Sequence, residues 1–328
     1  MIKLISPENG FLFDTHTDLQ NEFLRRIKEN GIKEALVWLE PEKNNTESSH
    51  PRALTFIWEG EGSFCLKISK NEDLSDAWIY ETEECSYEVE NFEIGTRYFW
   101  QVNDSEVRYF DTKNEFPRFI HIEGLLNVRD VGGVNIKQGL LYRGSELNRS
   151  FAPTEKGKFA FAKQLGIKID MDLRGAIPEV YHECPIEGVT YKLLPYRPYK
   201  EVFEDQHKHG IRKIMEFLAD ENNYPVFFHC MGGADRTGMI ALYLRALVGE
   251  EDDIIHTDYE LTGLSMYAGG SAENAQGFRR RTAPYYMEFR NMLDEYGKGP
   301  FRDKVENFLL ACGVKKETID RVKEIIRK

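Results

Sequence analysis

Apolar and polar residues alternate over three stretches of the N-terminal third: Leu54, Phe56 and Trp58; Phe64, Leu66 and Ile68; Tyr98, Trp100 and Val102. A period of two puts one set of side chains on one face of a half-buried strand. Turn-forming clusters, Glu59-Gly60-Glu61-Gly62 and Asn71-Glu72-Asp73, separate the runs at the spacing of a β-sandwich. Residues 18–30 break the alternation. There Phe23, Leu24 and Ile27 recur at helical spacing ahead of Gly31, which predicts a short helical insertion, followed by a polar loop over 42–50. Residues 1–112 thus read as an all-β sandwich with a helical insertion, and Asn114-Glu115-Phe116-Pro117 as a linker.

From residue 113 to 328 the texture changes to strands alternating with helices. A helix is predicted from Thr154 to Leu165, stopped by Gly166, then strands over 167–173 and 189–194. A long polar loop, Pro195 to Gly210, precedes a helix from Ile211 to about Ala219. The apolar run Val226 to Phe228 is a short buried strand, and a helix starts at Thr237, with Met239, Ile240, Tyr243, Leu244, Leu247 and Val248 on its apolar positions and Gly249 as its stop. Beyond residue 250 the pattern is helical and ends in an amphipathic stretch marked by Ile319, Val322, Ile325 and Ile326. Strand–helix alternation implies a mainly parallel sheet flanked by helices, with ligand loops at the carboxyl ends of its strands.

The chemistry concentrates at one such end. Between strand and helix stands His229-Cys230-Met231-Gly232-Gly233-Ala234-Asp235-Arg236-Thr237-Gly238. A glycine loop that opens a helix collects backbone N–H groups and the positive end of the helix dipole, which together make an anion site. A thiol in that field loses its proton readily. Arg236 can grip two phosphate oxygens, Thr237 can donate its hydroxyl to the sulfur, and His229 can orient the loop. Metal-ligand spacing is absent: Cys65, Cys85, Cys184, Cys230 and Cys312 are scattered and odd in number, so no disulfide framework, metal or cofactor is expected.

The string His-Cys-x2-Gly-x2-Arg-Thr-Gly resembles the signature of cysteine-dependent protein tyrosine phosphatases, and Asp235 before Arg236 resembles the bacterial tyrosine-phosphatase-like branch. That branch usually has lysine where this chain has Ala234, a departure that counts against inositol-phosphate substrates. Leu126-Asn127-Val128-Arg129-Asp130-Val131-Gly132-Gly133, Leu141-Tyr142-Arg143-Gly144-Ser145 and the Asp172-Leu173-Arg174 strand ending resemble further landmarks of the branch. The resemblance implies a cysteine phosphatase fold, a phosphocysteine intermediate, and substrate contacts from His229, Met231, Gly232, Gly233, Ala234, Gly238, Arg129, Arg143 and Arg174 beside the catalytic Cys230, Arg236, Asp235 and Thr237. For Arg129 and Arg143 an ion pair with Asp130, Asp172 or another carboxylate is the competing reading. The general acid is read as Asp235, with Asp205 and Glu204 in the long loop as competitors. Cys184 is either a loop thiol or a redox partner of Cys230. The Gly277-Phe278-Arg279-Arg280-Arg281 tract is read as a solvated helix end rather than a phosphate contact. Gly95-Thr96-Arg97-Tyr98-Phe99-Trp100-Gln101-Val102 resembles a late strand of fibronectin type III domains, an immunoglobulin-like sandwich.

Bulk properties narrow the partners. A net charge of −12 argues against nucleic acid or an anionic membrane surface, so an anionic substrate must be drawn in locally. No apolar run is long enough to span a membrane, and the first residues lack the apolar core of a secretory leader, which predicts a cytoplasmic protein. The expected substrate is a phosphorylated protein or a small phosphomonoester, with phosphotyrosine first and phosphoserine or a phosphoinositide beside it. An inositol phosphate is the alternative, and a phosphate-binding module without turnover is the reading outside enzymology. The sandwich is expected to position the catalytic part or to recruit partners.

Overall fold

The structure, a computed structural model, describes residues 2–42, 46–175, 182–265 and 284–328. In its N-terminal part the elements are β1 (Lys3–Ser6), β2 (Phe11–Phe13), α1 (Asp18–Asn30), α2 (Ile32–Glu42), β3 (Leu54–Glu59), β4 (Phe64–Ser69), β5 (Trp78–Thr82), β6 (Ser86–Val89), β7 (Arg97–Val102) and β8 (Arg108–Thr112). The strands form a three-stranded sheet, β1-β3-β6, and a five-stranded sheet, β2-β8-β7-β4-β5. The alternating residues read from the sequence meet in one core: Phe56 and Trp58 from one sheet pack with Leu66, Trp100 and Phe110 from the other.

The insertion is two helices rather than the single one expected. α1 opens on a reciprocal cap, Thr17 Oγ1 accepting from Gln20 N and Gln20 Oε1 accepting from Thr17 N. Gly31, at φ +82°, ends it in a conformation that L side chains rarely adopt, and α2 starts at once. Ile32, Ala35, Leu36 and Leu39 supply the second apolar stripe, and they bury Phe119, Leu261 and Leu264 of the C-terminal part in the same cluster as Phe23.

The C-terminal part runs β9 (Arg129–Asp130), β10 (Leu141–Gly144), α3 (Glu155–Phe159), β11 (Ile169–Asp172), β12 (Thr190–Leu193), α4 (Asp205–Leu218), β13 (Val226–His229), α5 (Asp235–Leu247), α6 (Asp252–Glu260), α7 (Pro284–Leu293), α8 (Phe301–Ala311) and α9 (Lys316–Ile326). Its sheet has the order β12-β11-β13-β10-β9; β10, β11 and β12 join through parallel pairings with or beside the central β13, and only β9 pairs antiparallel. Both faces of β13 are covered: Val226 and Phe228 enter the core shared with α4, α5, α8 and α9, while Phe227 enters a second core with Phe161 and Leu165.

Three boundaries differ from expectation in ways that matter. The segment after Thr154 is α-helical only to Phe159 and continues as a π turn over Ala160–Gln164. α4 begins at Asp205, six residues ahead of the expected Ile211, because Gln206, Lys208 and His209 lie on its outer side, where polarity disguises a helix. α5 begins at Asp235 rather than Thr237, which places Asp235 and Arg236 in its first turn. The Gly277–Arg281 tract lies outside the described residues.

The two parts are tied by buried polar bonds. Arg118 donates to the backbone oxygens of Asn91 and Phe92 and pairs with Asp130 at 2.7 Å. Asn91 in turn exchanges hydrogen bonds with the backbone of His121.

Candidate active site

β13 delivers Cys230 to the carboxyl edge of the sheet, where only 4% of the residue is exposed. The four carbonyls that follow His229 are each held by a donor from the surrounding scaffold. Cys230 O accepts from His229 Nδ1, Met231 O from Glu146 N, Gly232 O from Asn127 Nδ2 and Gly233 O from Arg143 Nη2, all at 2.9 Å. A peptide unit whose oxygen is anchored outward turns its N–H the other way, so this pattern builds an inward-facing nest of donors. Gly233 is required by the close approach: at φ +67° a Cβ there would stand 2.4 Å from the Gly144 backbone.

The electrostatics favour thiolate. Burial alone would raise the Cys230 thiol, but Thr237 and the Arg236 guanidinium outweigh it and hold the pKa below the ordinary value, against an opposing push from the Asp235 charge. The Thr237 hydroxyl is buried without an oxygen or nitrogen partner among the described residues and stands beside the sulfur. His229 adds a positive charge beneath the loop. Burial opposes its protonation, yet the Asp170 and Asp172 carboxylates prevail and raise the imidazole to about 9. Its Nε2 lies 2.8 Å from Asp170 Oδ1, an ion contact rather than an aligned hydrogen bond.

Arg129, Arg143 and Arg174, expected to meet substrate, are placed behind the loop. Arg129 and Arg143 pair with Asp258 at 3.0 and 2.6 Å, and Arg245 approaches the same carboxylate at 3.4 Å. The ion-pair alternative therefore describes them, and the carboxylate is Asp258, neither Asp130 nor Asp172 but the other carboxylate which that reading allowed. Burial works against the charge on Asp258, but the surrounding guanidiniums hold its carboxyl far below the usual range. Arg174 is bound by Asp172, Glu146 and Asn148. Arg236 differs: it is half-buried in the first turn of α5 and forms no ion pair among the described residues. Met231 is the exposed member of the loop, at 43%, while Gly232, Gly233, Ala234 and Gly238 are buried.

Of the acid candidates, Asp235 lies at the site and the others lie at the start of α4. Asp205 is paired with Lys208 and its side chain is 96% exposed; Glu204 is likewise exposed. Asp235 is half-buried, and Tyr199 donates its hydroxyl to Asp235 Oδ1. Cys184 is held against Asp170, and burial with that neighbouring charge pushes its thiol well up, which disfavours a reactive role. Among the described residues, one group could hold a metal ion: Asp14, His16 and Glu115, on the N-terminal side. Its Asp14 is already bound by Lys113 and Asn21.

Sequence reasoning missed Asn127, Glu146, Asp258 and Tyr199. Asn127 sits at φ +58°, a conformation asparagine tolerates, and this aims its amide at the loop. Asp258 lies in an ordinary polar helix whose pattern carries no signal of three buried arginines converging on it.

Residues 120–328 match the family described as the tyrosine phosphatase family. Weak likenesses link the chain to two solved structures. One is the core catalytic domain of the PP-IP phosphatase SIW14 from S. cerevisiae in complex with citrate, 18% identical with a TM-score of 0.31, covering 45% of this chain and 85% of that one. The other is a structure of the Siw14 catalytic core, 16% identical with a TM-score of 0.32, covering 55% and 95%. Among the described residues no helix is long and apolar enough to cross a membrane.

Proposed function

The chain belongs to the tyrosine phosphatase family, and on that premise we propose that this phosphatase hydrolyses phosphomonoesters, phosphotyrosine first among them, through a phosphocysteine intermediate. Cys230 attacks phosphorus as the thiolate. An S–P bond forms as the P–O bond to the leaving group breaks, and Asp235 passes its proton to the departing oxygen. Arg236 and the inward N–H groups of the loop hold the equatorial oxygens as their charge grows. Water, giving a proton to the Asp235 carboxylate, then attacks phosphorus while Thr237 donates to the departing sulfur. Phosphate leaves and the thiolate is restored.

The observation that carries this reading is the outward anchoring of four successive carbonyls around a buried thiol of lowered pKa. A single phosphate suits the site better than several. Arg129, Arg143 and Arg174 are engaged by carboxylates and Ala234 is apolar, so Arg236 is the arginine at the loop that meets no carboxylate among the described residues. Inositol phosphates rank second for that reason. The N-terminal sheets, read as a fibronectin type III-like sandwich, brace the catalytic part, and any recruitment of partners falls to their outer face.

Hydrolysis of p-nitrophenyl phosphate in buffer containing chelator tests the mechanism. Wild-type protein is expected to turn over and Cys230→Ser to be inactive while still binding phosphate. Equal rates for the two proteins would remove Cys230 from the reaction.

A further inference from the structure

Tyr199 stands in the loop between β12 and α4 with φ +57°, a left-handed conformation unfavourable for an aromatic residue. Such strain persists only where surrounding contacts hold it. Two are present at the hydroxyl, which donates to Asp235 Oδ1 and meets the Tyr259 hydroxyl at 2.5 Å. The Tyr199 ring also packs on the main core, and Tyr259 is fixed by stacking on Tyr286 with ring centroids 4.2 Å apart. Asp235 meanwhile sits close enough to Cys230 for its charge to act on the thiol.

We infer that Tyr199 is the positioning residue for the general acid. This rests on the reading of Asp235 as that acid. The hydroxyl bond at Oδ1 and the Tyr259–Tyr199 pair restrain the rotation of the carboxyl group about its side-chain bond, and so the direction in which its proton is presented to the leaving oxygen. Orientation of an acid matters in proportion to how badly the leaving group needs a proton. A tyrosine leaving group, the phenolate of a group with pKa about 10, needs it; the far more acidic p-nitrophenol does not.

The test compares kcat/KM for a phosphotyrosine peptide and for p-nitrophenyl phosphate in wild type, Tyr199→Phe, Asp235→Asn and the double variant. Tyr199→Phe keeps the ring and its packing, and thermal unfolding checks that the fold is intact. The expected result is a loss of about tenfold or more on the peptide with less than about twofold change on p-nitrophenyl phosphate. In the Asp235→Asn background, removal of the hydroxyl is expected to add nothing, since two residues acting through one proton transfer are not additive. Equal losses on both substrates, no loss on either, or full additivity with Asp235→Asn would each overturn the assignment. Failure of the parent reading looks different: Asp235→Asn itself would then leave the ratio of the two substrates unchanged.

Discussion

Arg236 and Arg143 both reach the same loop, yet they serve opposite sides of it. Arg143 is fully buried, bound to Asp258 and to the outward carbonyl of Gly233; Arg236 is half-buried in the first turn of α5 and pairs with no carboxylate among the described residues. The same guanidinium chemistry shapes the nest from behind in one case and, in the mechanism proposed above, holds the ligand in the other. What decides the role is the carboxylate in reach. Asp258 consumes the positive charge of the residues behind the loop, whereas Arg236, which meets no carboxylate among the described residues, has the charge that the proposed mechanism assigns to phosphate oxygens.

That contrast can be broken from either side. Arg236→Ala is expected to lower kcat/KM on p-nitrophenyl phosphate by about 1000-fold, through loss of transition-state contacts, with little change in the unfolding midpoint. Stopped-assay kinetics beside thermal unfolding would show it, and a large drop in stability would mean that Arg236 is structural after all. Asp258→Asn should do the reverse. It leaves buried guanidiniums uncompensated and is expected to cost about 3–5 kcal/mol in denaturant unfolding, with activity lost mainly through the unfolded fraction. A variant as stable as wild type would show that the buried arginines find another anion.

His229 gives the smallest effect and sharpens the comparison, because it belongs to the supporting side yet titrates. Its folded pKa, about 9, is above the ordinary histidine value near 6.5. The charged form is thus favoured by folding, so its contribution is complete below about pH 6.5 and is lost as pH rises through 9. Stability is expected to decline over that window by at most about 3 kcal/mol, and Asp170→Asn should flatten the decline. Unfolding midpoints that stay constant from pH 6 to pH 9.5 in the wild type would exclude a charged His229.

The loop was legible because its chemistry is local. Cysteine, two glycines, arginine and threonine lie within a few residues, and a strand before and a helix after them leave little choice of geometry. The alternating runs around Trp58, Leu66 and Trp100 were legible for the same reason: each residue's neighbours two positions away declare its face. The supporting side was not. Asp258 reaches Arg143 across 115 positions, and Asn127 reaches Gly232 across 105, so no window of sequence contains either pair. α2 failed differently. Ile32, Ala35, Leu36 and Leu39 do carry helical spacing, but Gly31 read as the end of structure when it is the joint between two helices. The early start of α4 was hidden by polar residues on its outer side, and with it the exposed position of Asp205.

The apolar contact between the helical insertion and the catalytic part also bears on modularity. Leu36 and Leu39 cover Leu261 and Leu264, while Thr262 between them shares the Asn127 amide with the carbonyl of Gly232. The composition boundary near residue 112 is therefore no seam at which evolution or an engineer could detach one half unharmed: the first hundred residues are in part the wall of the second half's interior.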